Sequence, residues 1–293
     1  MSVGRGAALR RPRTAQRAVP AVWLNLVCLD APVVAVVWQW LFARTFELTA
    51  HAGNSAALFL TAWLIYLGDR LADASLLTSG TPRSLRQEFC LRHREVWIVA
   101  LLMIGGLDAY VIWHSAAAET FFVGAVVGLL ALTYLLLNHP LGRIWRFIPL
   151  KETAIGFLFA AGTLVALLPA FPPIKPAFLL AALAFGFLCT LNCISIARWE
   201  RELDEAQQKI SIATRYPALA RRVGQICALL VFAGFAIAIA WPAAAPLLGA
   251  ISVSALLLMW LNASVPRMAG DQRTALADLV LLTPIIPLLV TAL

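Results

Sequence analysis

Nine stretches of this chain are apolar enough, over a sufficient length, to cross a bilayer as helices, and no other feature narrows its possible folds as much. They cover about 20–42, 53–69, 95–114, 119–138, 152–170, 176–196, 223–241, 244–262 and 274–293. Hydrocarbon offers backbone groups no water, so each run must satisfy its own N–H and C=O groups, which a helix does. A water-soluble globule is excluded, because 61% of the 293 residues are hydrophobic and only 13% are charged, which would leave large apolar patches facing water. The expected fold class is all-α, a polytopic membrane protein with nine transmembrane helices. A basic cytoplasmic tail over 1–18 precedes a transmembrane domain over 19–293.

Arg5, Arg10, Arg11, Arg13 and Arg17 stand before the first run, as in a secretion signal. The run behind them is too long for a signal core and ends without an A-x-A site, so it reads as an uncleaved first helix. Lys and Arg concentrate in cytoplasmic loops. With the N-terminus in the cytoplasm, all of the 23 basic residues except Arg44 and Lys175 fall on that side. The C-terminus is then expected on the opposite side. The net charge of +8 reads as orientation and contact with anionic headgroups, and nucleic acid is not an expected partner. The five cysteines and four histidines are scattered without ligand spacing, so neither a disulfide framework nor a zinc site is expected.

Two connections are long, about 70–94 and about 197–222, and both fall on the cytoplasmic side. Each begins with carboxylates at a helix end. Asp69 and Asp73 share one helix face at i, i+4, and Glu200 and Asp204 repeat the spacing. Four helices separate the two pairs, an even number, so the topology puts them on the same face of the membrane. Such oxygen clusters suit Mg2+, which favours a few carboxylates plus substrate phosphate oxygens. Arg70, Lys151 and Arg198 nearby favour a metal-bridged phosphate ligand over a simple ion site. The bland alternative is that these carboxylates only solvate helix ends and pair with neighbouring arginines.

The segment Asp69-Arg70-Leu71-Ala72-Asp73, the second acidic cluster four helices later, and the nine-helix count together resemble the UbiA superfamily of intramembrane prenyltransferases. Further stretches are similar: Tyr134 through Lys151-Glu152 with Gly156, Phe159, Ala160 and Gly162; Lys209-Ile210-Ser211 with Thr214; and Asp278-Leu279 with Thr283-Pro284. The chain departs from the family pattern where Ile65 and Tyr66 replace the Asn and first Asp of its first motif, where Glu200 opens the second, and where Lys209 replaces a Gly. The resemblance implies a UbiA-like helical bundle that moves an isoprenyl group from a prenyl diphosphate to a lipophilic acceptor. Asp69, Asp73, Glu200 and Asp204 would be its Mg2+ ligands and catalytic residues. Arg70, Lys151, Arg198, Asn192, Tyr66 and Asp30 would bind substrate. The alternative is a transporter or lipid-binding membrane protein that keeps the fold without the chemistry.

Polar residues inside the runs are costly and need a reason. Asp30, near Asn25 and Pro32, reads equally as cavity-lining or helix-packing, and Asp108 as structural. Gly124 and Gly128 read as close helix packing. Most of the ten tryptophans, Trp38 and Trp97 among them, read as an interfacial belt.

Overall fold

The computed structural model describes residues 20–138, 151–168, 175–264 and 270–290. The basic tail, Arg143, Arg146, Arg267 and the end of the run 152–170 lie outside the described residues. Among those described, the regular structure is helical throughout. In chain order the elements are α1 (Pro20–Leu26), α2 (Asp30–Thr45), α3 (Ala52–Ser75), α4 (Leu85–Arg92), α5 (Arg94–Ser115), α6 (Ala118–Asn138), α7 (Lys151–Leu164) and α8 (Pro176–Trp199). There follow α9 (Arg201–Ala206), α10 (Ile212–Arg215), α11 (Pro217–Arg221), α12 (Val223–Ala240), α13 (Ala245–Ala263), α14 (Gly270–Leu279) and α15 (Ile285–Val290). Six segments are long and apolar enough to span a membrane: Arg94–Ser115, Ala118–Asn138, Pro176–Trp199, Val223–Ala240, Pro242–Ala263 and Asp271–Val290. The chain is an all-helical, multi-pass membrane protein.

The other three apolar runs are also helical but interrupted, short or charged. The first is broken at 27–29, where Cys28 takes a left-handed φ of 58°. Pro32 lies in the first turn of α2, where its missing N–H costs no helical bond, whereas a continuous helix through it would lose one. Asp30 opens α2 and accepts a hydrogen bond from the N–H of Ala31. α7 is only 14 residues long, and α3 carries Asp69, Arg70 and Asp73 near its C-terminus.

The core lies where α2, α7, α8 and α13 meet. Trp38, Phe42, Phe178, Phe185, Leu188, Leu247 and Ile251 are buried there together. Trp38 departs from the expected interfacial belt: it stacks on Phe185 at 4.4 Å, and its indole N–H donates to the Leu281 carbonyl at 2.8 Å. That carbonyl belongs to a 3-10 turn (Val280–Leu282), and such turns leave main-chain acceptors for side chains to satisfy. Trp97 is also buried, within a second cluster of α3, α4 and α5 residues. α6 buries no residue and exposes Phe121, Phe122, Leu129, Leu132 and Leu136, the composition of a lipid-facing helix.

α7 and α8 approach closely because Gly156 has no side chain. A Cβ there would lie 2.5 Å from the backbone N of Thr190 and 2.7 Å from its Cα, contacts that only a backbone shift relieves. Gly156→Ala is therefore expected to lower stability by about 1–3 kcal/mol, the usual cost of overpacking. The measurement is thermal unfolding of the purified protein in detergent. A melting temperature equal to the parent's would show that the two helices separate freely.

Candidate functional site

The two long connections meet at one end of the helical assembly. The first is ordered by α4, which Ser84 starts with a capping box: the Gln87 N–H donates to the Ser84 hydroxyl, and the Gln87 side chain accepts from the Ser84 N–H. That turn aims Arg86 at Glu200, whose two oxygens accept from its Nη2 at 2.5 and 2.7 Å. Thr274 on α14 donates to the same carboxylate at 3.1 Å. Gln207, just past α9, donates to Gln87 and to the Pro82 carbonyl. Lys209 donates to Asp73 at 2.8 Å, so the ends of α3 and α8 are joined through the second connection. Neither Arg86 nor Gln207 stood out in the sequence, since each partner lies more than a hundred residues away.

Of the four carboxylates expected to act together, Asp73 and Glu200 are each held by a cation, with their side chains 30% and 20% exposed. Asp204 has a hydrogen bond from Ser211, yet its pKa is pushed up to about 6 by burial and by the neighbouring charge of Glu200. Unpartnered donors lie in the same neighbourhood: the Nε atoms of Arg86 and Arg273 and the indole N–H of Trp199. Among the described residues no three His, Cys, Asp or Glu side chains gather into a ready chelate.

Asp69 lies one turn before Asp73 and faces another feature, a cavity of about 410 Å3 bounded by α2, α3, α5, α6 and α7. Tyr66 and Tyr134 line it beside Asp69, and Ile65, Ala131, Leu135, Ile155 and Leu158 continue an apolar wall. Gly124 and Gly128 line it as well. Among the described residues, no atom outside α6 comes within 4 Å of a Cβ built on Gly128, so there the small residue makes room where close helix packing was expected. Asp108 also lines the cavity and accepts a hydrogen bond from Thr61.

The expected substrate-binding residues divide between several places. Tyr66 lines the cavity, and the Arg70 guanidinium lies 5.8 Å from the centre of its ring. Lys151 opens α7, beside Glu152, whose carboxylate accepts the Ile212 N–H at the start of α10. Arg198 donates to Asn262 on α13. Asp30 and Asn192 do not line the cavity. They belong to a buried knot in which Asn25 donates to Asp30 at 2.5 Å and to Asp278 at 3.2 Å, and Asn192 donates to Asp278 at 2.9 Å.

No family model matches this chain, and no curated protein matches it. Chemically, the arrangement offers a polar mouth of mixed charge opening onto an apolar shaft, which fits an amphiphile with a highly charged head.

Asp204 also sets a pH dependence. The folded protein keeps its proton to about pH 6, whereas an unfolded chain releases it near 3.8, so the folded state binds more protons across that window and loses stability as pH rises through it. Asp204→Asn removes this loss. In a chelator, the variant is expected to match the parent at pH 4 and to exceed it at pH 8 by roughly 1–2 kcal/mol in thermal unfolding. An equal difference at both pH values would assign the effect to something other than this carboxylate.

Proposed function

We propose that the protein is a UbiA-like membrane prenyltransferase, with nine transmembrane helices, that moves an isoprenyl group from a prenyl diphosphate to a lipophilic acceptor. The observation that carries this reading is the position of Asp69: it stands one turn from the carboxylate that Lys209 ties to the second acidic connection, and it lines the end of an apolar cavity. A diphosphate at the carboxylates and a prenyl chain in the cavity use both features at once. The donor set suits Mg2+, because the donors are carboxylate oxygens, which a hard cation favours.

Asp69, Asp73, Glu200 and Asp204 are assigned as the Mg2+ ligands. The bound ion would shield the diphosphate charge and favour its departure. Lys209 and Arg86, which neutralise Asp73 and Glu200 without ligand, are the cations nearest at hand for phosphate oxygens. Arg70, Lys151 and Arg198 add to the positive field on the leaving group. The apolar walls exclude water from the allylic centre, and the rings of Tyr66 and Phe159 supply electron-rich faces beside it. Asp30 and Asn192 act from the knot as positioning residues.

A second reading has an observation in its favour. Glu200 is held twice, by Arg86 and by Thr274, as in a carboxylate that only braces a loop, so the same architecture suits a transporter or lipid-binding protein without the chemistry. Incubating the purified protein with radiolabelled prenyl diphosphates and membrane lipid extract separates the two. Mg2+-dependent release of diphosphate is the expected result, and its absence across chain lengths would leave the second reading.

In that assay Asp69→Asn and Asp73→Asn are each expected to lower turnover about a hundredfold or more, the scale of losing one charge-stabilising group from a water-excluded site. The protein should stay folded, because an amide keeps the size of the side chain. Parental turnover in both variants would sink the assignment.

We further place the N-terminus and both long connections in the cytoplasm and the C-terminus on the opposite side, following the basic residues. In a variant without the native cysteines, thiols introduced at Ser79 and Ala206 should be shielded from an impermeant reagent in intact cells and should react once the membrane is opened. Labelling of either one from outside would reverse this orientation.

A further inference from the structure

The second long connection ends in a turn whose outer face the site does not use. On its inner side Ile212, Ala213 and Ala220 are buried in one cluster with Leu191, Ile194 and Leu258, so α10 and α11 are pinned to the bundle. The outer side is the reverse: Arg215, Arg221 and Arg222 are exposed, with Tyr216 and Leu219 among them. No acidic residue occurs in the chain between Glu205 and Asp271. Among the described residues none of the three arginines has an ion pair or a side-chain hydrogen bond. Their height is fixed by the helices beside them. α12, long and apolar enough to span, begins at Val223 directly after Arg222. A Cβ on Gly224 would lie 3.9 Å from the side chain of Met259, so the exposed indole of Trp260 on α13 stands at nearly the same level. Arginines and an exposed indole at the end of apolar spans mark the boundary between hydrocarbon and headgroups.

We propose that the turn from Arg215 to Arg222 is a binding site for an anionic phospholipid. Guanidinium forks match phosphate oxygens, and three of them within eight residues, with no acid of their own, call for an anion from outside the chain. Tyr216, Leu219 and Trp260 decide which anion. A soluble phosphate or an acidic peptide would use the arginines and leave those side chains in water, whereas a lipid covers them with the first carbons of its acyl chains while its phosphate meets the arginines. The turn also touches the carboxylate site from its inner side. The Ile212 N–H donates to Glu152, and Lys209, three residues earlier, donates to Asp73. Lipid held on the outside therefore steadies the segment that joins the two acidic connections. This consequence stands whether or not the protein transfers prenyl groups.

The test uses full-length protein in neutral detergent micelles, titrated with radiolabelled dioleoyl phosphatidylglycerol and dioleoyl phosphatidylcholine. The parent should bind phosphatidylglycerol about tenfold or more tightly, the scale of a few basic residues meeting one anionic headgroup. A variant combining Arg215→Gln, Arg221→Gln and Arg222→Gln should lose most of that preference and stay folded, since all three positions are exposed. A second variant, with Arg83→Gln, Arg92→Gln and Arg94→Gln in and after the first connection, loses the same charge and should keep the preference. No preference in the parent, or equal losses in the two variants, would overturn the site, the latter by assigning the attraction to the whole basic face. Displacement of phosphatidylglycerol by inorganic phosphate would overturn it in favour of a soluble anion. The link to the carboxylates is read in nanodiscs of either lipid, as the rate at which an uncharged amine reagent modifies Lys209 relative to Lys175. Modification of Lys209 should be slower in phosphatidylglycerol for the parent and for the second variant, and equal in both lipids for the first. Equal rates in the parent would overturn the steadying role.

Discussion

The knot of Asn25, Asp30, Asn192 and Asp278 is the interaction on which the rest of the arrangement hangs. Its members come from α1, α2, α8 and α14, so the beginning, middle and end of the chain are fastened at one buried point. In an apolar interior none of these side chains is tolerable alone. Removing one partner from a buried, hydrogen-bonded charge typically costs about 3–5 kcal/mol. The break at Cys28 belongs to the same device, because it lets Asn25 and Asp30, on either side of it, converge.

From that point the site is set out along two helices. Asp278 and Thr274 are one turn apart on α14, so the helix held by the knot also carries the hydroxyl that bonds Glu200. Asn192 and Glu200 lie two turns apart along α8 and its C-cap, and the second acidic connection therefore starts from a fixed place. The ion pairs of Arg86 with Glu200 and of Lys209 with Asp73 then close the two long connections against each other. Both pairs are partly exposed, where such contacts contribute modestly to stability. Their consequence is geometric, since carboxylates from α3 and from the end of α8 converge at one end of the bundle, beside a shaft with small or apolar walls.

The helices were readable because a bilayer allows little else. Among the described residues each apolar run recurs as helix, and the breaks fall where local chemistry demands them, as at Pro32 and at the capping box of Ser84. The acidic pairs were readable by spacing, and an even number of crossings between them implied a common face. Trp38 and Gly128 were not readable. An indole near a helix end can meet headgroups or a buried carbonyl, and a glycine can admit a neighbouring helix or leave a void. Each choice depends on which helix lies opposite, and local sequence carries no record of that.

What this sequence determined by itself is the class of object: a chain of apolar helices for a membrane, with carboxylates gathered at the ends of two of them. The reason is that hydrophobic length and charge placement act on each segment separately, whatever its neighbours. Tertiary structure alone decided that Arg86 reaches Glu200, that Asp30 turns to Asn25 and the knot rather than to the cavity, and that α6 stands away from its neighbours far enough to leave a shaft with Asp108 in its wall. Those outcomes are pairings across tens to hundreds of residues, and they arise because a polar group in an apolar interior must find its partner wherever the packed helices bring one.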